Sequence, residues 1–290
     1  MTSPITHLNL RDFTNGGPAQ KQAFVSSLMT GLKRYGFLTL SGHGVDPQLL
    51  RQSYDVSAAF FALPEAEKRR YAGALRGYTP FGTEHAKDHA APDLKEFWQI
   101  GHDAGAGPVQ PNVWPDRPAG FRETFETLFN RLFETGRQLL GGIALGLELE
   151  EDYFDTRIRN GTSLLRLLHY PPVPEGVDPA CIRAAAHEDI NLITLLVAAE
   201  GSGLELLDRD GNWLAVENAA DHLVIDTGDI DGPPDQWRPV RHHASRGQSV
   251  RSQCQPLFHA LLRATAHGCL ARLSAVLPQC EATRAGHNSR

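Results

Sequence analysis

Cysteine is scarce in this 290-residue chain: Cys181, Cys254, Cys269 and Cys280 are the four, and no two are spaced as zinc ligands or a disulfide framework. Reduced thiols and a cytoplasmic location are the expectation. Long apolar runs are missing too. The longest, Leu192 to Ala199, is interrupted by Thr194 and is far too short to span a bilayer. The opening Met1-Thr2-Ser3-Pro4 has no basic stretch followed by an apolar core, so no secretory signal is expected. Positive charge is outnumbered, with a net charge of -6 that argues against a general binder of nucleic acid or anionic membrane. A further shortage is local. From Asp231 onward lysine and tyrosine vanish, while eight arginines, five histidines and three of the four cysteines gather there.

The residues that are present suit a soluble globular protein with a sizeable core. Ile5 to Phe13 reads as a short strand entering a turn at Asn15-Gly16-Gly17-Pro18. Gln20 to Tyr35 has helical spacing of Phe24, Val25, Leu28 and Leu32, and Gly36 is placed to end that helix in a left-handed conformation. Phe37 to Leu40 is a strand, and Asp46-Pro47 caps a helix running to Phe61. A short helix over Glu65 to Tyr71 follows, then loop and strand elements around Arg76–Pro80 and Asp93–Gly101. A long helix from about Ala119 to Leu147 carries an apolar stripe from Phe125 through Leu132 and Leu139 to Leu147, which marks it as core. Beyond Asn160-Gly161 the pattern turns to short strands: Ser163–Tyr170, His187–Ala199, Gly203–Asp208, Trp213–Val216 and His222–Asp226. Strands at this spacing suggest an antiparallel sandwich or jelly roll.

One stretch carries chemistry. In Ala186-His187-Glu188-Asp189 an imidazole and a carboxylate stand two residues apart at the head of an apolar run, and in a strand those two positions share a face. One imidazole and one carboxylate, joined by a distant second histidine, make the ligand set of non-haem Fe(II) oxygenases, with three metal positions left open. Alone, such a pair is common by chance, and a polar strand entrance with a solvated histidine is the plainer reading.

Surrounding motifs decide between these readings. Tyr35-Gly36-Phe37 with Gly42-His43-Gly44, Phe60-Phe61-x-Leu63-Pro64, Lys68, Gly77-Tyr78 and Asp93-Leu94-Lys95-Glu96 stand in order in the first half. Leu165 to Pro172, His187-x-Asp189, Leu192-x-Thr194-Leu195-Leu196, Gly203-Leu204-Glu205, Asp210-Gly211-x-Trp213 and Gly228-Asp229 follow in the second. Over roughly residues 5 to 230 the chain resembles the isopenicillin-N-synthase-like branch of the 2-oxoglutarate/Fe(II) oxygenases. The resemblance implies an α+β fold, with a double-stranded β-helix (jelly-roll) core and a helical N-terminal region. It divides the chain into a helical/mixed region at 1–160, a jelly-roll core at 161–230 and an aberrant remainder at 231–290. It implies Fe(II) on His187, Asp189 and a distal histidine, 2-oxoglutarate as co-substrate, ascorbate as reductant, and O2 and a small molecule as reactants. Succinate and CO2 would be released, with hydroxylation, cyclisation or an ethylene- and succinate-forming reaction as outcomes. Tyr170 would line the co-substrate pocket, or be a half-buried strand tyrosine.

After Ile230 the resemblance fails. The family's Thr-Asn-Gly turn, the strand with the distal ligand and the Arg-x-Ser strand that grips the co-substrate carboxylate are all missing. In their place stand Gly232-Pro233-Pro234 and an Arg- and His-rich segment without strand alternation, so the jelly roll is expected to be incomplete. The hypothesis that fits is a frame shift near codon 231. Read one base later, codons compatible with Asp231 to Trp237 spell a run ending in Thr-Asn-Gly. Ala244-Ser245 then yields a histidine, and Gln255 to Leu262 yields Ser-Arg-Tyr-Ser-Met-Pro-Phe-Phe. In the chain as it stands the third ligand can only be borrowed from His243 or, equally, His242. Arg241, Arg246, Arg251 and Arg263 are the candidates to meet the co-substrate carboxylate. The competing functions are therefore an active oxygenase, an impaired or inactive product of a frame-shifted gene, and a non-redox cupin-like binder, which the oxygenase-like first half disfavours.

Overall fold

The computed structural model describes residues 5–84, 93–102, 110–159, 161–172, 191–197, 205–207, 213–215, 222–227, 244–245 and 257–264. Six helices lie in the first 160 residues: α1 (Leu10–Thr14), α2 (Pro18–Tyr35), α3 (Pro47–Phe61), α4 (Glu65–Lys68), α5 (Phe121–Gly146) and α6 (Asp155–Arg159). The strands are β1 (His7–Asn9), β2 (Phe37–Ser41), β3 (Tyr78–Thr79), β4 (Glu96–Gly101), β5 (Leu164–Tyr170), β6 (Ile193–Val197), β7 (Glu205–Leu207), β8 (Trp213–Ala215), β9 (Leu223–Thr227), β10 (Ala244–Ser245) and β11 (Leu257–Ala264). Eight of them form one sheet in the order β1-β2-β9-β6-β11-β5-β4-β3, and β10-β7-β8 form a second. Only the short β1–β2 pair is parallel among the ladders of the described residues.

Local chemistry explains the helix ends. α2 starts at Pro18, where the missing N–H costs nothing, and the Gly17 N–H donates to Gln20 Oε1 at 3.0 Å. It stops at Gly36, whose φ of 81° is left-handed, as its position in the sequence led us to expect. The Gly36 carbonyl then accepts from both the Thr227 N–H and the Thr227 hydroxyl, each at 3.0 Å, which ties the helix end to β9. α3 is capped by Asp46, whose side chain accepts from the Gln48 N–H at 2.7 Å. The stripe on α5 is buried through Phe125, Leu128, Phe129, Leu132, Leu139, Leu140 and Ile143, with Phe133 and Leu147 packed at its margin.

Alternation along the strands gives the sheet two faces. Leu38, Leu40, Trp98, Ile100, Leu165, Leu167, Ile193, Leu195, Leu223 and Ile225 join the helices in the main core. Phe60, Trp98 and Phe121 meet at its centre, with ring centroids 4.9 to 5.4 Å apart. Phe37, Phe97, Leu168, Tyr170, Leu196 and Val224 form a second cluster on the face turned away from the helices.

Two expectations are corrected, and a third lies partly outside the described residues. Ile5 to Phe13 is not one strand: only His7–Asn9 is extended, because Asn9 caps a helix that takes Leu10 and Phe13 into the core. Within His187–Ala199 the described strand is Ile193–Val197, the part before Asn191 lying outside the described residues. The segment after residue 230 is not devoid of strands. Ala244–Ser245 pairs with β7, and Leu257–Ala264 lies between β5 and β6 in the middle of the large sheet. Its sequence is a short, mostly apolar run rather than an alternating one, a pattern that suits a strand covered on both faces.

Candidate active site

The face turned away from the helices is apolar in the middle and charged along one side. Tyr170, at the end of β5, is 2% exposed. The β4–β5 ladder pairs Glu96 with His169, Phe97 with Leu168 and Gln99 with Arg166. The next step places Lys95 beside Tyr170. Lys95 is buried and holds two carboxylates, Asp93 Oδ2 at 2.6 Å and Glu84 Oε2 at 2.8 Å. Burial pushes its ammonium down, but Glu84, Tyr170 and Asp93 outweigh that, and the net shift is upward. Two positions along the same face, Arg166 donates its Nε to Gln99 Oε1 at 2.6 Å, reaches Glu84 Oε1 at 3.2 Å and lies over the Phe97 ring.

Behind this row, on the helix side, sits a buried polar knot. Glu96 accepts from Lys68 Nζ at 2.7 Å, from the Tyr78 hydroxyl in a very short bond, and pairs with His169 Nδ1 at 2.6 Å. His169 stacks on Phe61, with centroids 5.0 Å apart. Burial raises the Glu96 carboxyl, yet the donors from His169, Lys68 and Tyr78 outweigh it and hold the group below the usual carboxylate range. Tyr78 moves up, chiefly by burial and then by its bond to Glu96. The knot ties α3, α4, β3, β4 and β5 together directly behind Lys95 and Tyr170.

Asn191 stands two residues after Asp189, at the entrance to β6. Its Nδ2 donates to Thr194 Oγ1 at 2.9 Å, while its Oδ1 is buried without a hydrogen-bond partner among the described residues. An orphaned buried acceptor calls for a donor such as bound water. Of the residues expected in the site, Tyr170 is thus placed on the face away from the helices, and Arg263 stands across from Leu164 and Thr194 on the ladders of β11. His187, Asp189, His242, His243, Arg241, Arg246 and Arg251 lie outside the described residues. Among the described residues no three His, Cys, Asp or Glu side chains converge as a metal site.

Residues 5–117 match the family described as non-haem dioxygenase in morphine synthesis N-terminal, and residues 161–252 match the 2OG-Fe(II) oxygenase superfamily. A 2-oxoglutarate-Fe(II) type oxidoreductase of Emericella nidulans is 32% identical over 241 residues, 77% of this chain and 69% of that protein. The chain belongs to the 2-oxoglutarate/Fe(II) oxygenases. A proline hydroxylase of Petromyces alliaceus is also 32% identical, over 78% of this oxygenase and 75% of the relative. A 2OG-Fe(II) oxygenase family protein from Caulobacter crescentus is 36% identical, with a TM-score of 0.77 covering 92% of this chain and 88% of its own. The fold is shared as well with Neurospora crassa T7H, solved in complex with alpha-KG, at 24% identity and a TM-score of 0.75 over 91% of this chain and 85% of T7H.

Membership makes this oxygenase an Fe(II)- and 2-oxoglutarate-dependent dioxygenase of α+β, jelly-roll type, acting with O2 on a small molecule. No helix among the described residues is long and apolar enough to cross a membrane. The Glu84–Lys95–Arg166 cluster was not read from the sequence as part of a site. Its signal was available in Asp93-Leu94-Lys95-Glu96, where three charges crowd the start of an otherwise apolar strand. Alternation sends Lys95 and Glu96 to opposite faces, but only the tertiary fold brings Glu84 and Arg166 to the Lys95 side.

Proposed function

We propose that this oxygenase oxidises a small organic substrate while converting 2-oxoglutarate to succinate and CO2, with iron held by His187, Asp189 and a third ligand from His243 or His242. Family membership together with the placement of Tyr170 on the face away from the helices supports this reading. Iron with that ligand set supplies O2 activation coupled to oxidative decarboxylation of the co-substrate. The chain's part is to bind and exclude. Tyr170 offers a hydroxyl donor to the co-substrate, its ring fixed among Phe97, Leu168 and Leu196, and the apolar cluster keeps bulk water from the reacting carbon. Ascorbate serves as reductant, and the chain divides into a helical region to residue 160, a core over 161–230 and a remainder from 231, with the large sheet drawing strands from all three parts.

Succinate release tests the reading directly. The full chain given Fe(II), 2-oxoglutarate, ascorbate and O2 should release succinate. His187→Ala and Asp189→Ala should each lower it by about a hundredfold or more, since loss of a ligand outweighs the second-shell losses of about 10–100-fold. Unchanged rates in both variants would remove the assignment of these two ligands.

A second reading rests on the segment after residue 230, where the family's third ligand and Arg-x-Ser strand are absent from the sequence. It takes the present C-terminal segment as a frame-shifted translation and the chain as an impaired enzyme. Two strands do form there, at 244–245 and 257–264, within the stretches that the alternative frame turns into the missing ones. On this hypothesis the chain releases no succinate, and a gene with the frame restored at codon 231 does. An intact reading frame shared with close relatives across codons 225 to 290 would dispose of it.

A further inference from the structure

Two cations of different strands converge on one carboxylate on the face away from the helices. Arg166 Nη1 and Lys95 Nζ meet the two oxygens of Glu84 at 3.2 and 2.8 Å. Lys95 and Arg166 belong to the paired β4–β5 region, and their side chains are 7% and 18% exposed. Glu84, at 29%, is the most exposed member of the group, which Asp93 completes at 3%. The backbone of Glu84 is held, its carbonyl accepting from the Asp93 N–H at 2.9 Å. Between the cations lies Phe97, under the Arg166 guanidinium and in the same apolar cluster as Leu168 and Tyr170.

A fixed pair of partly desolvated cations above an apolar floor recognises a carboxylate attached to an apolar body. We propose that Arg166 and Lys95 form a carboxylate subsite for the oxidised substrate, and that Glu84 occupies it as an internal stand-in until a substrate carboxylate takes its place. The substrate class is therefore a small carboxylic acid. This inference rests on the functional reading above in taking this face as the substrate side. Binding can nonetheless be measured without turnover.

The test is binding to the full chain of phenylacetate and, as its uncharged match, phenylacetamide, followed by ligand-observed NMR with no iron added. Phenylacetate should bind at least about tenfold more tightly than the amide, the equivalent of one charge-assisted contact. Glu84→Gln removes the stand-in charge and should tighten phenylacetate severalfold while leaving the amide unchanged. Arg166→Gln should erase the preference for the acid. Should Arg166→Gln fail to fold, Glu84→Gln still decides, because its side chain is the most exposed of the group. Equal binding of acid and amide in both the native chain and Glu84→Gln would overturn the subsite. So would displacement of phenylacetate by 2-oxoglutarate at equal stoichiometry, which would give the cations to the co-substrate instead. Failure of succinate release alongside a retained acid preference would count against the proposed turnover and not against the subsite.

Discussion

Glu96 shows how much one side chain can organise. It is buried, and its two oxygens take Lys68, Tyr78 and His169 from three different elements. Replacing it by glutamine leaves Lys68 without its closest counter-ion, and breaking a buried pair from one side costs about 3–5 kcal/mol. Urea denaturation should show a loss of that size. The pH dependence follows from the lowered carboxyl, whose unperturbed value is 4.5. A group depressed on folding stabilises the native state above its unfolded pKa, and that contribution is lost as pH falls through the lower folded value. The native chain should therefore hold its urea midpoint from pH 7 to about 5 and lose it below about 4.5. Glu96→Gln should lack this component, and an identical acid decline in both proteins would contradict the account. Tyr170→Phe tests the neighbouring face. Loss of one hydrogen bond to a charged co-substrate should raise KM for 2-oxoglutarate by about tenfold with kcat less affected; an unchanged KM would return Tyr170 to a packing role.

Among the elements, α5 and the central strands carry the fold. Leu128 on α5 is fully buried in the main core, and truncation to alanine should cost about 2–5 kcal/mol through lost transfer energy and the cavity left behind. A loss below 1 kcal/mol in thermal or urea unfolding would mean the helix repacks. At this scale the sequence was most readable. The ends of α2 and α3 follow from Gly36 and Asp46, and the spacing of Phe125, Leu128, Leu132 and Leu139 names the buried face of α5. Two readings changed, one through a local cap and one through long-range pairing. The first strand shrank to His7–Asn9 because Asn9 caps a helix, and β11 arose from a run without alternation because β5 and β6 leave a slot for it.

For the whole molecule, that slot has a consequence. β11 is hydrogen-bonded to β5 on one side and to β6 on the other, so the C-terminal segment closes the large sheet whatever its origin. A chain ending at Gln255 would expose two long, apolar strand edges, which favour aggregation. We expect such a truncation to lose cooperative thermal unfolding and to collect in the insoluble fraction. A soluble truncated chain with a single sharp transition would show that the sheet closes without it.

The sequence by itself determined the family and the helix limits, because capping, periodicity and motif order are local and survive translation into structure. Tertiary structure decided which charges meet. Alternation alone sends the adjacent Lys95 and Glu96 to opposite faces, but Glu84 and Arg166, far apart along the chain, meet only through the tertiary fold. Strand pairing sets those distances, and no local pattern encodes which strand will be the neighbour.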